Sequence, residues 1–326
     1  MSSVQHTGRV KVRRLVPRDP QSLILPAFIL FLAVVTGLIE PRFWSVNNLL
    51  NLGRQIVPLL IIAVGQGFAI VSGGLDLSLA AVLSLSGVAG VLAMNQFGIA
   101  IGLAVMVLTG LVAGFTSGLI VSFFRATPLI VTLGMLSVAQ GLALILSGGV
   151  PIYNVPPDYA SAVGFGELLG IPVPILIGAG ALLAGHVLLR HTVFGRYVYA
   201  IGSNVTAAYN SGINVRLYTM LVYVVSGGTA GIAAIVLTAW VSAAQPVAAP
   251  SLALESIAAV VLGGVALTGG KGGMSQVLCG VIILGMLSNA MNMIGVSAYF
   301  QTVIIGVVIV VAVILDRFRR RGGLGD

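Results

Sequence analysis

The chain has 326 residues, of which 58% are hydrophobic and only 7% charged, and its formal net charge is +8. A soluble domain carries about 25% charged residues. A mean hydropathy of +1.11 therefore excludes an ordinary soluble fold, whose apolar surface would aggregate. The single cysteine, Cys279, excludes an intrachain disulfide.

The N-terminal segment 1–21 is basic, with Arg9, Lys11, Arg13, Arg14 and Arg18. No small-residue cleavage site follows a short apolar core, so the first span is expected to stay uncleaved. Breaks at charges, prolines and polar clusters predict ten spans: 22–39, 54–72, 77–95, 99–123, 128–148, 172–189, 217–241, 252–268, 273–294 and 299–315. The eighth is short, which leaves eight spans as an alternative. The polar piece Ser45–Asn51 is expected at the interface before the second span. Placing the N-terminus in the cytoplasm puts fourteen of the sixteen Lys and Arg inside, among them Arg125, Arg190, Arg196, Arg216, Lys271, Arg317, Arg319, Arg320 and Arg321. Only Arg42 and Arg54 fall outside. The positive-inside rule selects this orientation, and it accounts for the basic charge without nucleic acid. The expected architecture is all-α: a polytopic bundle of about ten spans in the cell (inner or plasma) membrane, both termini cytoplasmic. Residues 22–316 form the membrane domain and 317–326 a basic tail.

Two connections stand out. The outer loop Gly149–Pro174 carries five prolines with Asp158 and Glu167 and is expected to be rigid. The inner loop Arg190–Arg216 contains "GSNVTAAYNSGI", a candidate short helix with Asn204 as N-cap and Gly212 as stop. Such a helix docks a partner or is a plain surface loop.

The stretch "VSGGLDLSLAAV" places Asp76 between apolar runs, after Gly73 and Gly74. The glycines break a helix, and Asp76 is positioned to cap the next through N–H groups near Ser78 and Leu79. The same break suits a pathway, because irregular backbone at membrane depth is tolerated only against protein or water. A second break, "LGGVALTGGKGG", spans Leu262–Gly273 on the same side. Glu255 is either stabilised by a helix N-terminus or set at the outer mouth of a pathway. Gln66, Gln140, Gln245, Asn289 and Asn292 are amides that serve either interhelical hydrogen bonds or a polyhydroxylated solute. His186 is expected to be structural, and Trp44 and Trp240 to anchor at interfaces.

No series of charged residues crosses the membrane, as an ion-coupled carrier would need. There is no Gly-x-x-x-x-Gly-Lys-Ser/Thr phosphate loop, no metal motif and no clustered nucleophile and base. These absences speak against a secondary carrier, an ATPase and an intramembrane enzyme. A permease-like scaffold without transport stays open.

The stretches "AIVSGGLDLSLAAVLSLSG", "ATPLIVTLGMLSVAQGLALILSGG", "FGRYVYAIGSNVTAAYNSGINV" and "SIAAVVLGGVALTGGKGG", in this order, resemble permease subunits of bacterial ATP-binding-cassette importers of the ribose type. Relatives in that family carry xylose, galactose, inositol, a furanosyl signalling molecule and, more distantly, branched-chain amino acids. The resemblance implies a non-enzymatic importer subunit for a neutral polyhydroxylated solute such as a monosaccharide. It also implies a second permease copy or sister permease, an extracytoplasmic solute-binding protein and a cytoplasmic ATP-binding subunit. That partner holds ATP and Mg, and this chain binds no cofactor. A coupling helix would then comprise Ser203, Asn204, Ala207, Ala208, Ser211 and Gly212, with Arg196 nearby. Val205, Thr206 and Tyr209 stand where the family often has acidic residues and an Arg, so docking here would rely on shape and apolar contact. Gln140 and Lys271 stand where many members carry Arg, which bears on solute identity. Gln66, Gly73, Gly74, Asp76, Ser78, Gln140, Gln245, Glu255, Asn289 and Asn292 are the candidates for pathway or gating roles. Inositol, a furanosyl signalling molecule, a nucleoside or a branched-chain amino acid remain alternative solutes.

Overall fold

The computed structural model describes residues 21–248 and 251–321. Most of the basic segment 1–21 and the tip of the tail therefore lie outside the described residues. The chain is a helical bundle: α1 (Gln21–Ile39), α2 (Val46–Val71), α3 (Leu79–Phe97), α4 (Ile99–Phe123), α5 (Pro128–Ser147), the one-turn α6 (Pro157–Tyr159), α7 (Val173–His191), α8 (Val193–Ser203), α9 (Val205–Asn210), α10 (Val215–Val241), α11 (Leu252–Leu262), α12 (Met274–Met293) and α13 (Ala298–Arg321). Seven of these, α2, α3, α4, α5, α7, α10 and α12, are long and apolar enough to cross a membrane. Shorter apolar stretches, Leu25–Ile39, Leu252–Leu262 and Tyr299–Val308, coincide with the first, eighth and tenth expected spans. The protein is a multi-pass membrane protein.

Several expected boundaries move. The second span begins at Val46 rather than residue 54, because the Ser45 hydroxyl accepts from Asn48 N–H at 3.3 Å and caps the helix. The Ser45–Asn51 piece is thus the first turns of α2. Arg54, taken as a break, sits inside that helix and pairs with Glu167 at 2.9 Å. The eighth span is not a full-length helix. Its 11 residues rise about 16 Å, against a hydrocarbon core about 30 Å thick, and residues 263–273 continue without helix. The last helix does not stop at the tail boundary but runs to Arg321, since Arg is a good helix former. The departures from an all-helical pattern among the described residues are a single antiparallel bridge, Ile152 to Ala244, and a hairpin pairing Glu167 with Pro172 and Leu168 with Ile171. Its tip, Leu169–Gly170, has φ of 54° and 76°, as a two-residue type I′ turn requires.

α2 is the hub. It is buried at every residue from Val57 to Val71, as expected of a helix apolar all round. α4 and α10 run antiparallel and approach backbone to backbone. A Cβ on Gly118 would lie 2.6 Å from the Met220 carbonyl oxygen, and one on Gly110 would lie 2.9 Å from Gly231 N. Among helices in lipid, apolar burial gives little driving force, so such close contact through small residues carries the association.

Gly114→Leu would force a side chain onto the Tyr223 and Gly227 backbone. It should destabilise the purified protein by at least the roughly 1–3 kcal/mol typical of overpacking, read as a lowered thermal unfolding midpoint in detergent. Gly134→Leu on α5, with open space around its Cβ, should stay within about 0.5 kcal/mol of the parent. Equal losses in the two variants would remove the α4–α10 contact as the source of stability.

Candidate functional site

α2 ends where Ser72 and Gly73 leave the helix. Gly73 takes φ +86°, and the Gly74 and Gly73 N–H groups return to Ala69 and Ile70 carbonyls at 2.8 and 2.9 Å. This is a Schellman closure, which needs a residue comfortable at positive φ. Asp76 follows, 1% exposed. Its Oδ1 accepts from Ser78 N at 3.0 Å and from Ser78 Oγ at 2.6 Å. Its Oδ2 accepts from Ser226 Oγ of α10 at 2.7 Å. The expected cap is therefore made one position before the helix, as an Asx turn onto Ser78. The second oxygen does something the sequence did not announce: it clamps the break to α10. Ser226 lies eleven residues into the 27-residue α10, about 16 Å from its start, so the clamp sits well inside the bundle. The buried Tyr223 hydroxyl of α10 has no hydrogen-bond partner among the described residues and is the first atom a Cβ on Gly74 would strike.

The second glycine-rich break meets the first. Gly270 N–H donates to the Val71 carbonyl at 2.8 Å. A Cβ on Gly269 would lie 2.9 Å from Gly73 N and 2.8 Å from the Gly202 carbonyl oxygen. Gly202 itself packs without room for a side chain against Val71 and Gly270. Three backbone segments, residues 71–74, 202–203 and 269–270, thus form one junction. Tyr199 Oη donates to the Gly272 carbonyl at 2.6 Å and fastens α8 to the same loop.

One residue beyond Ser203 stands Asn204, the cap of α9. Asn204 Oδ1 accepts from Ala207 N–H at 2.9 Å, and Gly212, with φ +81°, closes the helix through its N–H to the Tyr209 carbonyl at 3.0 Å. Asn204 is the N-cap and Gly212 the stop, as the sequence suggested. The inner loop holds two helices rather than one, because Thr192 opens α8 by accepting from Gly195 N–H at 3.2 Å. Arg196, Ser203, Asn204, Ala207, Ser211 and Gly212 are exposed, as are Val205 and Tyr209. Ala208 is the exception at 4% exposure. It seats the short helix on the bundle and does not present a docking surface.

The remaining polar candidates separate. Gln66 is fully buried, and neither polar atom of its amide has a hydrogen-bond partner among the described residues. The Gln140 amide donates to the Pro246 carbonyl, next to Gln245. Gln245 lines a cleft of about 170 Å³ with Ser84, Gly87 and Thr238. Glu255 is half-buried in a smaller cleft with Gln55 and Ser288. Asn289 exchanges two hydrogen bonds with Asn48, at 3.0 and 3.2 Å. Asn292 accepts from Gln301 at 2.7 Å. These last two make interhelical hydrogen bonds, one of the two uses expected of the amides.

Asp76→Ala would leave Ser78 and Ser226 without their acceptor in a dry site, costing about 2–4 kcal/mol. Asp76→Asn keeps one oxygen for Ser78 and caps about as well, and should lose about half as much. Unfolding of the purified variants measures both. Indistinguishable losses would mean that the carboxylate's hydrogen bonds do not hold the break.

Comparison with known proteins gives the site a family. Residues 48–313 match the model of the branched-chain amino acid transport system / permease component family. The chain is 38% identical to the ribose import permease protein of Haemophilus influenzae, over 90% of this chain and 91% of that one. It is 40% identical to the ribose import permease protein of Bacillus subtilis, over 88% and 89%. It is 34% identical to the D-allose transport system permease protein of Escherichia coli K12, over 89% and 90%. No solved structure matches the chain significantly. The family model spans every break and helix that builds the junction, and the chain belongs to the branched-chain amino acid transport system permease family.

Proposed function

We propose that the chain is the permease subunit of an ATP-driven importer for a neutral polyhydroxylated solute, a monosaccharide of the ribose, allose or arabinose class. The relatives named for ribose, D-allose and L-arabinose support the solute class. The observation that carries the mechanism is the state of Asp76. Both of its oxygens accept from Ser78 and Ser226, a structural clamp, and no series of charged residues crosses the membrane as a secondary carrier would require. Energy then comes from outside the chain, through a cytoplasmic ATP-binding subunit that carries ATP and Mg.

In this reading α9 is the coupling helix. Val205 and Tyr209, at 53% and 71% exposure, enter a groove of the ATPase by shape and apolar contact. Movement of α9 passes through Ser203 and Gly202 to Gly270 and Val71, and so to the α2–α3 and α11–α12 breaks. Ten traverses complete the topology, α11 crossing with the loop that follows it, and both termini lie in the cytoplasm. The basic segment 1–21, the permease domain 22–316 with its coupling loop 190–216, and the tail 317–326 are the functional divisions. A solute-binding protein delivers to the opposite face, where the Glu167 hairpin lies. A second copy or a sister permease completes the pathway. Gln66, Gln140 and Gln245, neutral donors and acceptors, are the groups offered to solute hydroxyls as the bundle opens.

Two measurements test this. Reconstituted with its ATPase and binding protein, the permease should import labelled ribose only with ATP, and an ion gradient alone should give none. Uptake driven by the gradient, or an anionic solute as sole substrate, would overturn the proposal. Tyr209→Glu should lower ATP-driven uptake at least tenfold, equivalent to about 1.4 kcal/mol or more of lost coupling, with unchanged amounts of permease in the membrane. Normal import by this variant would remove α9 as the docking element.

A further inference from the structure

Beside the junction lies a cavity of about 470 Å³, lined by His186, Arg190, Arg196, Tyr199, Lys271 and Ser275 among others. It is bounded by the end of α7, the first half of α8 and the loop entering α12. Arg190, Arg196 and Lys271 are exposed. The two ion pairs among the described residues, Arg42–Glu40 and Arg54–Glu167, lie elsewhere, and no Asp or Glu lines the cavity. The 20-residue α12 opens onto it without a side-chain cap. Its first N–H groups, at Met274 and Ser275, add the positive end of a helix dipole to three cations. Tyr199 holds the loop in place through Gly272. The result is a concave site of one charge sign on otherwise apolar walls.

The neighbouring surface says what carries the anion. Leu183, Val187 and Leu188 of α7 are 64%, 44% and 36% exposed. Leu183 and Val187 stand four residues apart, and Arg190 follows Val187 by three, so they share one helix face. An apolar strip therefore leads along a membrane-spanning helix directly to the basic cavity, as acyl chains leading to a headgroup require. A soluble anion has no use for that strip.

We propose that this cavity binds the phosphate of an anionic phospholipid, with acyl chains laid along α7. The orientation proposed above places it in the cytoplasmic leaflet, where anionic headgroups meet basic juxtamembrane clusters. Bound there, one phosphate bridges α7 through Arg190, α8 through Arg196 and the α11–α12 loop through Lys271. Two of those, α8 and the α11–α12 loop, meet at Gly202 and Gly270, so the lipid stiffens the connection between the inner loop and the breaks.

The test uses the full-length permease purified from mixed phosphatidylglycerol and phosphatidylcholine nanodiscs, with retained lipid read by native mass spectrometry. The parent should retain phosphatidylglycerol several-fold over its share of the mixture. The double variant Arg190→Gln, Lys271→Gln should lose that enrichment, whereas Arg42→Gln should keep it. In phosphatidylcholine alone, millimolar inorganic phosphate should not raise the thermal midpoint of the parent. A rise that the double variant abolishes would keep the phosphate site and replace its lipid by a soluble ion. Unchanged enrichment in a folded double variant overturns the proposal. So does loss of ATPase binding with lipid retention intact, which would assign the cavity to the subunit contact. The importer reading can fail without touching this result, because lipid retention requires neither ATPase nor solute.

Discussion

The constraint on which this structure depends is the need to satisfy every backbone polar group in a medium that offers no water. Helices meet it automatically, and breaks do not. This chain has two glycine-rich breaks that meet, at 72–78 and 263–273, each partly buried. Each break is closed by the other: the Gly270 N–H goes to the Val71 carbonyl. Asp76 supplies what remains, turning one oxygen to Ser78 and the other to Ser226. A carboxylate is well suited to this task, since it accepts at both oxygens and has several lone-pair sites. The charge that looks out of place in an apolar sequence is the acceptor that makes an irregular segment tolerable.

The rest of the bundle divides around that point into a part that holds and a part placed to move. α4 and α10 interlock through backbone contact at Gly110, Gly114, Gly118, Gly227 and Gly231. That contact has no side chains to rearrange, so the pair behaves as one body. Ser226 stands on it, which makes the clamp on Asp76 an anchor to the rigid part. On the other side of the breaks stand α8, partly buried with Phe194 against Phe68, and the short α9, exposed at every residue but Ala208. Small displacements there reach the breaks directly, because Gly202 leaves no space between α8 and Val71.

The helical bundle was legible in the sequence because apolar runs of membrane length carry a strong signal. The ends of α9 were legible as well, since Asn204 and Gly212 are residue types with a narrow set of uses at helix ends. Other features were not. The start of α2 was misplaced because Arg54 reads as a boundary until its partner Glu167, 113 positions away, is known. Ser226 and Tyr223 are ordinary residues in an apolar helix, and no local pattern tells which serine faces a distant carboxylate. For Asn289 the sequence left an interhelical bond and a pathway role side by side, and only its distant partner Asn48 shows the tie it makes between α2 and α12. Sequence periodicity reports what faces away from lipid, and it does not report which buried group meets which.

The junction also explains why two glycine-rich breaks with little resemblance to each other occur in one chain. A single break could be closed by its own turn. Here the Val71 carbonyl is left over after the Schellman closure of α2, and it is Gly270, from a loop nearly two hundred positions later, that supplies the donor. For the donor to arrive, the later loop must approach the backbone of Val71 and Gly202 without side chains, which fixes glycine at 202, 269 and 270. The glycines of the second break are therefore dictated by the first. A movement that separates the two breaks leaves the Val71 carbonyl and the Gly270 N–H to find a new partner, whether protein, water, lipid headgroup or solute.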